Sequence, residues 1–303
     1  RSGKISFIND DVNNGRGKTL DVVVTQAPYL FDVDFGVASS LDLQPILDQA
    51  TSSYNVTVIS SGRWVVDTDA SWVSLSSSGA NKGGTFSIKV DNNLTSSKRT
   101  ANIVVTNKDL KDNNKSTLKI TQSGFTFNAE CNDKIEFAAL PDGQSYKITY
   151  SCSAELLIDA PNWVNCDDRG NGTIIVTAED NVSTVKRTGT IKLSNAYTSD
   201  TRTFTVSQEA YEFSVSADSY SLDYEDNDDV VVKITSSGRW SASSDVTWLT
   251  ISPEHGNGNG EIKIKADDNA KTESRKGIVT VKSEDNSLTH QITITQDAAP
   301  KKK

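Results

Sequence analysis

The stretch Phe86-Ser87-Ile88-Lys89-Val90 alternates apolar and polar side chains with a period of two residues. Successive side chains of a β-strand point to opposite faces, so this pattern predicts a strand with one buried face. The same phase recurs in two later segments, at Ile174, Val176 and Ala178 and again at Ile262, Ile264 and Ala266. Turn-forming residues separate these segments from other short alternating runs. The chain is therefore predicted to consist of short strands joined by turns.

The alternating segments belong to a repeat that recurs along the chain. Its markers are the series Asn93, Asn181, Asn269; Arg99, Arg187, Arg275; Trp72, Trp163, Trp248; and the closing glutamines Gln26, Gln122, Gln208, Gln296. The asparagines and the arginines are each spaced by 88 positions. Several short strands with frequent turns in a unit of this size are typical of an immunoglobulin-like sandwich. We therefore predict an all-β fold of tandem immunoglobulin-like β-sandwich domains in an extended array.

The markers also set the expected domain boundaries. Sandwich domains are predicted at residues 29–124, 125–210 and 211–297, the second being divergent, with a basic tail at residues 298–303. One segment departs from the strand pattern, because Leu43, Ile46 and Leu47 recur with helical spacing. A short turn of helix is therefore expected between Asp42 and Ala50.

Residues 1–28 match only the closing part of a unit. The run Val22-Val23-Val24-Thr25-Gln26 has the pattern of a last strand, and an alternating strand precedes it. Two interpretations stay open. The segment is either the C-terminal hairpin of a truncated preceding repeat, or a hairpin that pairs with a partner chain, because an isolated hairpin is only marginally stable in water.

Charge and composition exclude several classes of function. The 303 residues carry 31 basic and 40 acidic side chains, and the net charge of −9 disfavours binding to nucleic acid. No apolar run approaches the ~20 residues that span a bilayer, so membrane insertion is not expected. With two His and three Cys, no metal site and no cofactor is predicted, and we expect a protein that is not an enzyme.

The order of motifs within a unit is distinctive. Two units carry Ser-Ser-Gly-Arg-Trp, at Ser60–Trp64 and Ser236–Trp240, and each has a second Trp eight residues later. A Gly-rich turn, an alternating strand, an Asp-Asn-Asn or Asp-Asp-Asn triplet, an Arg with a small residue two positions later, and a closing Thr-Gln follow. This order resembles the BACON domain, in three copies over about residues 29–297. The middle copy departs from it, because Leu156 replaces the first Trp.

The resemblance implies a β-sandwich, an extracellular setting and no catalytic activity, in a family found mainly in Bacteroidetes proteins and their phages. It further implies carbohydrate or mucin binding, or a role as a spacer, and it supplies no residue-level sugar site. Three functions therefore stay open. The chain is a surface stalk or adhesin that contacts host glycans or mucin, a structural subunit of a phage fibre, tail or pilus-like assembly, or a spacer of a multidomain glycan-degrading enzyme. The expected location is extracellular or on a cell surface, with a virion surface as the alternative.

The tryptophans and cysteines are predicted to be structural. Tryptophan can stack on sugar rings, but Trp64, Trp72, Trp163, Trp240 and Trp248 lie beside alternating strands, which favours core packing. Cys166 stands where the other units have Leu75 and Ile251, so a small buried apolar side chain is expected. One disulfide is possible among Cys131, Cys152 and Cys166, with three pairings.

Residues with the chemistry of a ligand site are few. The repeated Asn series is predicted to form Asx turns, and each repeated Arg is predicted to tie a loop to a carboxylate. The weak candidates for ligand contact are tyrosines outside the shared pattern, namely Tyr54, Tyr146, Tyr197 and Tyr220.

Overall fold

A computed structural model of the chain describes residues 1–9 and 18–301. Residues 10–17 and the last two lysines of the predicted basic tail lie outside the described residues. Within the described ranges every regular element is a β-strand, which confirms the predicted all-β class. No helix in this part of the chain is long and apolar enough to cross a membrane.

The chain opens with an antiparallel hairpin. Its strands are β1 (Ser2–Asn9) and β2 (Lys18–Thr25), in a register that pairs Ile5 with Val22 and Phe7 with Leu20. These two pairs share one face of the hairpin, and all four side chains are exposed.

The first sandwich follows directly. Its strands are β3 (Phe31–Asp34), β4 (Ser40–Leu43), β5 (Ser53–Ser60), β6 (Trp64–Thr68), β7 (Val73–Leu75), β8 (Gly79–Ala80), β9 (Gly84–Val90), β10 (Arg99–Asn107) and β11 (Lys115–Gln122). One sheet has the order β3-β5-β9-β7 and the other β4-β11-β10-β6-β8. Alternate residues of facing strands, such as Ile88 and Ile103, fill the space between the sheets and are inaccessible to solvent.

The second sandwich has the same plan with fewer strands. They are β12 (Phe127–Glu130), β13 (Ile135–Phe137), β14 (Tyr146–Cys152), β15 (Leu156–Asp159), β16 (Val164–Asp168), β17 (Thr173–Ala178), β18 (Arg187–Asn195) and β19 (Arg202–Gln208). The sheets have the orders β12-β14-β17-β16 and β13-β19-β18-β15.

The third sandwich again has nine strands among the described residues. They are β20 (Phe213–Val215), β21 (Ser219–Leu222), β22 (Val230–Ser236), β23 (Arg239–Ser244), β24 (Leu249–Ser252), β25 (His255–Asn257), β26 (Gly260–Ala266), β27 (Arg275–Ser283) and β28 (Thr289–Gln296). Its sheets have the orders β20-β22-β26-β24 and β21-β28-β27-β23-β25.

The chain divides into two compact units. The first contains Arg1–Phe127 together with Cys152–Ala154, and the second contains Asn128–Ser151 together with Glu155–Lys303. The hairpin and the first sandwich belong to the first unit, and most of the second sandwich and the whole third sandwich belong to the second.

The predicted turn of helix after Asp42 is wrong. Strand β4 ends at Leu43, and no helix follows in the described segment up to Ala50. In a helix the amide of Leu47 would bond to the carbonyl of Leu43. Here the Leu47 amide donates to the side chain of Asn92, and the Leu43 carbonyl accepts from the amide of Ser123. The amide and the carbonyl that would bond to each other in a helix are thus both bonded to residues distant in sequence.

Candidate functional site

One cluster of four side chains recurs in all three sandwiches, where the last strand ends. In the first sandwich it consists of Trp72, Asn93, Arg99 and Gln122, and we call each copy the closing cluster. Its counterparts are Trp163, Asn181, Arg187 and Gln208 in the second sandwich and Trp248, Asn269, Arg275 and Gln296 in the third.

The arginine of each cluster lies over the ring of its tryptophan. The distance from the guanidinium carbon to the ring centroid is 4.2 Å for Arg99 over Trp72 and 4.2 Å for Arg275 over Trp248. A cation at this distance is attracted to the electron-rich face of the ring. Burial lowers the pKa of Arg99, and the nearby Asp91 carboxylate opposes that shift. The guanidinium stays charged, because its ordinary pKa lies far above neutral pH.

The same arginine binds an amide and a carbonyl, not the carboxylate that the sequence led us to expect. Arg99 Nε donates to Gln122 Oε1 at 2.9 Å, and an Nη donates to the backbone carbonyl of Asp91 at 2.6 Å. The backbone amide of Asp91 in turn donates to the carbonyl of Trp72. The partners of the arginine are therefore a side-chain amide and a backbone carbonyl, and sequence alone does not reveal the position of either.

The closing glutamine is fully buried and satisfies several backbone groups. Gln122 Nε2 lies 3.2 Å from the carbonyls of Gln44, Pro45 and Asp91. Gln208 repeats this with the carbonyls of Ala138, Ala139 and Glu179 at 2.8 to 3.1 Å. A buried amide with all its partners is stable, whereas an unpaired one costs free energy. The glutamine therefore ties the last strand to the segment that follows the first strand of its sheet.

The asparagine of each cluster binds the first residue after the last strand of its sandwich. Asn93 Nδ2 donates to the carbonyls of Ser97 and Ser123, both at 2.8 Å, and its Oδ1 accepts from Thr95. The last contact is the Asx turn predicted from the sequence. The two amide bonds to carbonyls recur at Asn181, with Val185 and Glu209, and at Asn269, with Glu273 and Asp297.

A small residue lies two positions after each arginine, and in the second and third sandwiches a larger one would collide with its neighbours. A Cβ atom on Gly277 would lie 2.6 Å from Val246, 2.8 Å from Leu249 and 3.1 Å from the ring of Trp248. In the second sandwich the ring of Pro161 fills the equivalent space at Gly189. These contacts explain the glycine at this position in the second and third sandwiches, and the first sandwich has Ala101 there.

The other two tryptophans lie deeper than the cluster tryptophans. Trp64 is 1% exposed and Trp240 is 4% exposed, and their indole N–H groups donate to the carbonyls of Lys82 and Gly258. Trp163 is buried as well, whereas Trp72 and Trp248 are only half-buried. At the position of Trp64 and Trp240 the middle sandwich has Leu156, which is half-buried.

The three cysteines are free thiols in the structure. Each is half-buried, and Cys166 lies on β16 opposite Val176 of β17. Burial raises the pKa of the Cys166 thiol, so the neutral form is favoured. Cys166 is thus less buried than the sequence predicts, and its role in packing stays a prediction.

The structure does not bring the four candidate tyrosines together. The hydroxyls of Tyr54 and Tyr146 bond to the carbonyls of Thr51 and Glu136, and that of Tyr220 lies 3.4 Å from the carbonyl of Val231. These three rings are half-buried, and Tyr54 and Tyr220 pack against the cores of their sandwiches. Tyr197 differs, since it is 44% exposed in the connection between β18 and β19.

The chemistry of the closing cluster is that of hydrogen-bond donors directed at backbone carbonyls.

No group of three or more His, Cys, Asp or Glu side chains within the described ranges is placed to hold a metal ion. The second unit also contains a small cavity of about 210 Å³, lined by Leu140, Val182, Tyr211, Arg239 and other residues.

The family model of BACON, whose description is "Putative binding domain, N-terminal", matches residues 62–123, 153–209 and 238–297, more than half of the chain. The chain belongs to the BACON family. The resemblance read from the motifs is thus confirmed, with three tandem copies. Each match begins close to the Gly-Arg-Trp strand or its counterpart and includes a complete closing cluster, so the cluster lies within the BACON segments.

No curated protein matches this BACON chain. Among solved structures it is similar to a Bacteroides ovatus GH5 xyloglucanase in complex with a XXXG heptasaccharide, with 19% identity and a TM-score of 0.27, over 30% of this chain and 19% of that one. An I-band fragment of titin is 10% identical with a TM-score of 0.38, over 91% and 100% of the two chains. Domains 1–6 of the surface layer protein SbsC are 11% identical with a TM-score of 0.36, over 99% and 45%. The chain thus spans about a fifth of the xyloglucanase.

Proposed function

We propose that this BACON chain is a non-catalytic stalk or adhesin outside the cell, on a bacterial or virion surface. The observation that carries the proposal is the closing cluster. In every sandwich the residues that recur are committed to one another, to backbone carbonyls and to ring packing, so they serve the architecture of the repeat. A repeat that devotes its shared residues to its own stability is suited to a spacer role.

Glycan or mucin contact is part of the proposal, and Tyr197 is the residue best placed for it. Aromatic rings bind sugars when one face is open to solvent, and of the four candidate tyrosines this one is the most open. Side chains able to hydrogen-bond to hydroxyl groups flank it, since Thr198 and Asp200 lie in the same connection.

A glycan array probed with the 303-residue chain tests this part of the proposal. We expect retention on a subset of glycans and loss of that signal in Tyr197→Ala. The matched control is Tyr146→Phe, which removes a hydroxyl bonded to the chain's own backbone and should bind as the parent does. Equal binding by Tyr197→Ala and the parent would contradict the assignment of Tyr197, and no binding to any glycan would contradict glycan contact altogether.

A second candidate function, as a structural subunit of an assembly, is favoured by the N-terminal hairpin. Ile5, Phe7, Leu20, Val22 and Val24 form one apolar face, and all of them are exposed. The opposite face is mixed, because Lys4 and Ser6 bind the carboxylate of Asp21 there while Ile8 and Val23 lie on the same side and are exposed. A hairpin with an exposed apolar face is marginal alone and is stabilised when that face is covered.

We infer that the cover in such an assembly is the same hairpin of a second copy, because two identical apolar faces can pack about a two-fold axis. Light scattering over a range of protein concentrations tests this. We expect a concentration-dependent dimer in the parent and a monomer in the double variant Phe7→Ser with Leu20→Ser. A parent that stays monomeric at all concentrations would contradict the inference.

A further inference from the structure

The first and last strands of one sheet are parallel neighbours in each sandwich. Strand β4 pairs with β11, β13 with β19 and β21 with β28. In the first pair Ser40 lies opposite Lys119, and Leu43 lies opposite Gln122. Every other pair with an assigned register in the three sandwiches is antiparallel.

Parallel pairing decides how tension along the chain acts on a sandwich. Tension pulls the first strand towards its N-terminal end and the last strand towards its C-terminal end. These ends lie at opposite ends of a parallel pair, so the two strands are sheared along their length. All hydrogen bonds of the pair are then strained together. In an antiparallel pair the two pulled ends would be adjacent, and the bonds would break one after another.

The closing cluster reinforces the pair at the end where the chain leaves. The amide of Ser123 donates to the carbonyl of Leu43, and the side chain of Gln122 holds the carbonyls of Gln44 and Pro45. Sliding of β11 past β4 must break all of these bonds.

Two further contacts oppose peeling of the segment that follows the last strand away from the sandwich. Asn93 holds the carbonyl of Ser123, and the amide of Phe125 donates to the carbonyl of Thr95. The same two contacts recur after the second sandwich, where Asn181 holds Glu209 and the amide of Tyr211 donates to Ser183. The segment after the last strand therefore cannot peel away without first breaking the hydrogen bond from the buried asparagine amide.

We propose that each sandwich resists tension along the chain through shear of its parallel terminal strands, latched by the buried glutamine and asparagine of the closing cluster. The proposal deepens the stalk function and rests on it, because only a tethered chain is placed under tension. Strand β3 lies outside this clamp, since it pairs with β5 in the other sheet, and it is expected to detach first.

Single-molecule stretching of the whole chain, held at its two ends, tests the proposal. We expect three unfolding events. The repeat of 88 residues gives each event a contour length of about 30 nm at ~3.6 Å per residue. Gln122→Leu should lower the force of one event and leave the other two unchanged. Gln296→Leu repeats the test in the third sandwich.

The matched control removes stability elsewhere in the same sandwich. Ile88→Val or Ile88→Ala changes a core residue of β9, which belongs to the other sheet. The control is chosen so that its free energy of unfolding in urea equals that of Gln122→Leu. We expect it to keep the parental unfolding force. Equal loss of force in the two variants would overturn the proposal, because force would then follow stability alone.

A second stretching experiment changes the point of attachment and needs no substitution in the closing cluster. A handle inserted at Asn286, in the turn between β27 and β28, loads the beginning of β28 in place of its end. The pair β21 and β28 is then unzipped, and we expect the third event at a much lower force. The same force for both attachments would overturn the clamp. These readouts do not depend on glycan binding or cell-surface location, so failure of the clamp and failure of the proposed function are distinguishable.

Discussion

The side-chain amide of Asn93 lies 2.8 Å from the backbone carbonyl of Ser123, the first residue after the last strand of its sandwich. Asn93 is inaccessible to solvent, and its counterparts Asn181 and Asn269 are almost equally buried. An asparagine side chain can bond to a carbonyl anywhere along the backbone, yet in all three copies it bonds to the residue at the exit. The repeat therefore keeps a buried amide to fix where the chain leaves.

Replacement of Asn93 by Ala should destabilise the first sandwich. The carbonyls of Ser97 and Ser123 would lose the Asn93 amide as a donor, and each hydrogen bond of this kind contributes about 0.5–1.5 kcal/mol. Urea unfolding of the full chain measures the change in the free energy of unfolding. Asn55→Ala, at an exposed position on β5, is the control and should change it by less than about 0.5 kcal/mol. Similar values for both variants would contradict a role for the Asn93 amide.

The two tryptophans of a sandwich should differ in what they contribute to stability. Trp64→Ala removes a fully buried ring and should cost about 3–5 kcal/mol. Trp72→Ala removes a half-buried ring that also stacks on Arg99, and we expect a smaller loss. Trp240 and Trp248 provide the same comparison in the third sandwich. A larger loss at Trp72 and Trp248 than at Trp64 and Trp240 would contradict this ranking, which urea unfolding measures.

Gly277→Val should be destabilising by about 1–3 kcal/mol through overpacking. Its Cβ would lie within van der Waals radii of Val246 and Leu249 and against the ring of Trp248. Calorimetry of the full chain should show a lowered melting temperature for one transition. Gly258→Ala is unsuitable as a control, because Gly258 has a positive φ of 71°. Gly3→Ala serves better, since its Cβ would meet nothing within 4 Å, and a loss there as large as at Gly277 would contradict the collision.

Acid should weaken the first sandwich through Asp69. Its carboxylate accepts hydrogen bonds from the backbone amide and the side-chain amide of Asn102, and these bonds lower its pKa. A carboxyl with a lowered folded-state pKa stabilises the fold above its ordinary pKa. That contribution is lost as the pH falls through the lowered value. The loss is therefore expected below the ordinary Asp pKa of 3.8.

The variant Asp69→Asn isolates this contribution. The free energy of unfolding of the parent should fall more steeply with acid than that of the variant, as measured by urea unfolding at a series of pH values. Parallel curves for the two proteins would show that Asp69 does not contribute to the acid sensitivity.

The fold was predictable because each strand of a sandwich alternates buried and exposed residues, and this alternation is visible in the local sequence. Alternation at Phe86, Ile88 and Val90 reports a strand with one buried face, and all three side chains are buried. The failed helix at Asp42–Ala50 shows the limit of that reasoning. There the backbone partners are Asn92 and Ser123, which are distant in sequence, so no local pattern reports them.

The sequence indicates the residues of the closing cluster but not their contacts. Recurrence identifies Asn93, Arg99, Gln122 and Trp72 as shared positions, together with a small residue two positions after the arginine. Their partners were missed because they are carbonyls, which every residue carries. The arginine was therefore assigned to a carboxylate, and the glutamine was not recognised as a buried hydrogen-bonding residue. The relative depths of Trp64 and Trp72 depend likewise on tertiary packing.

Hydrogen exchange of side-chain amides tests the central claim most directly. After transfer of the ¹⁵N-labelled chain into D2O, the NH2 signals of Asn93, Asn181, Asn269, Gln122, Gln208 and Gln296 should persist long after those of exposed amides such as Asn55 have disappeared. Exchange of these six groups at the rate of Asn55 would contradict a buried closing cluster in each sandwich.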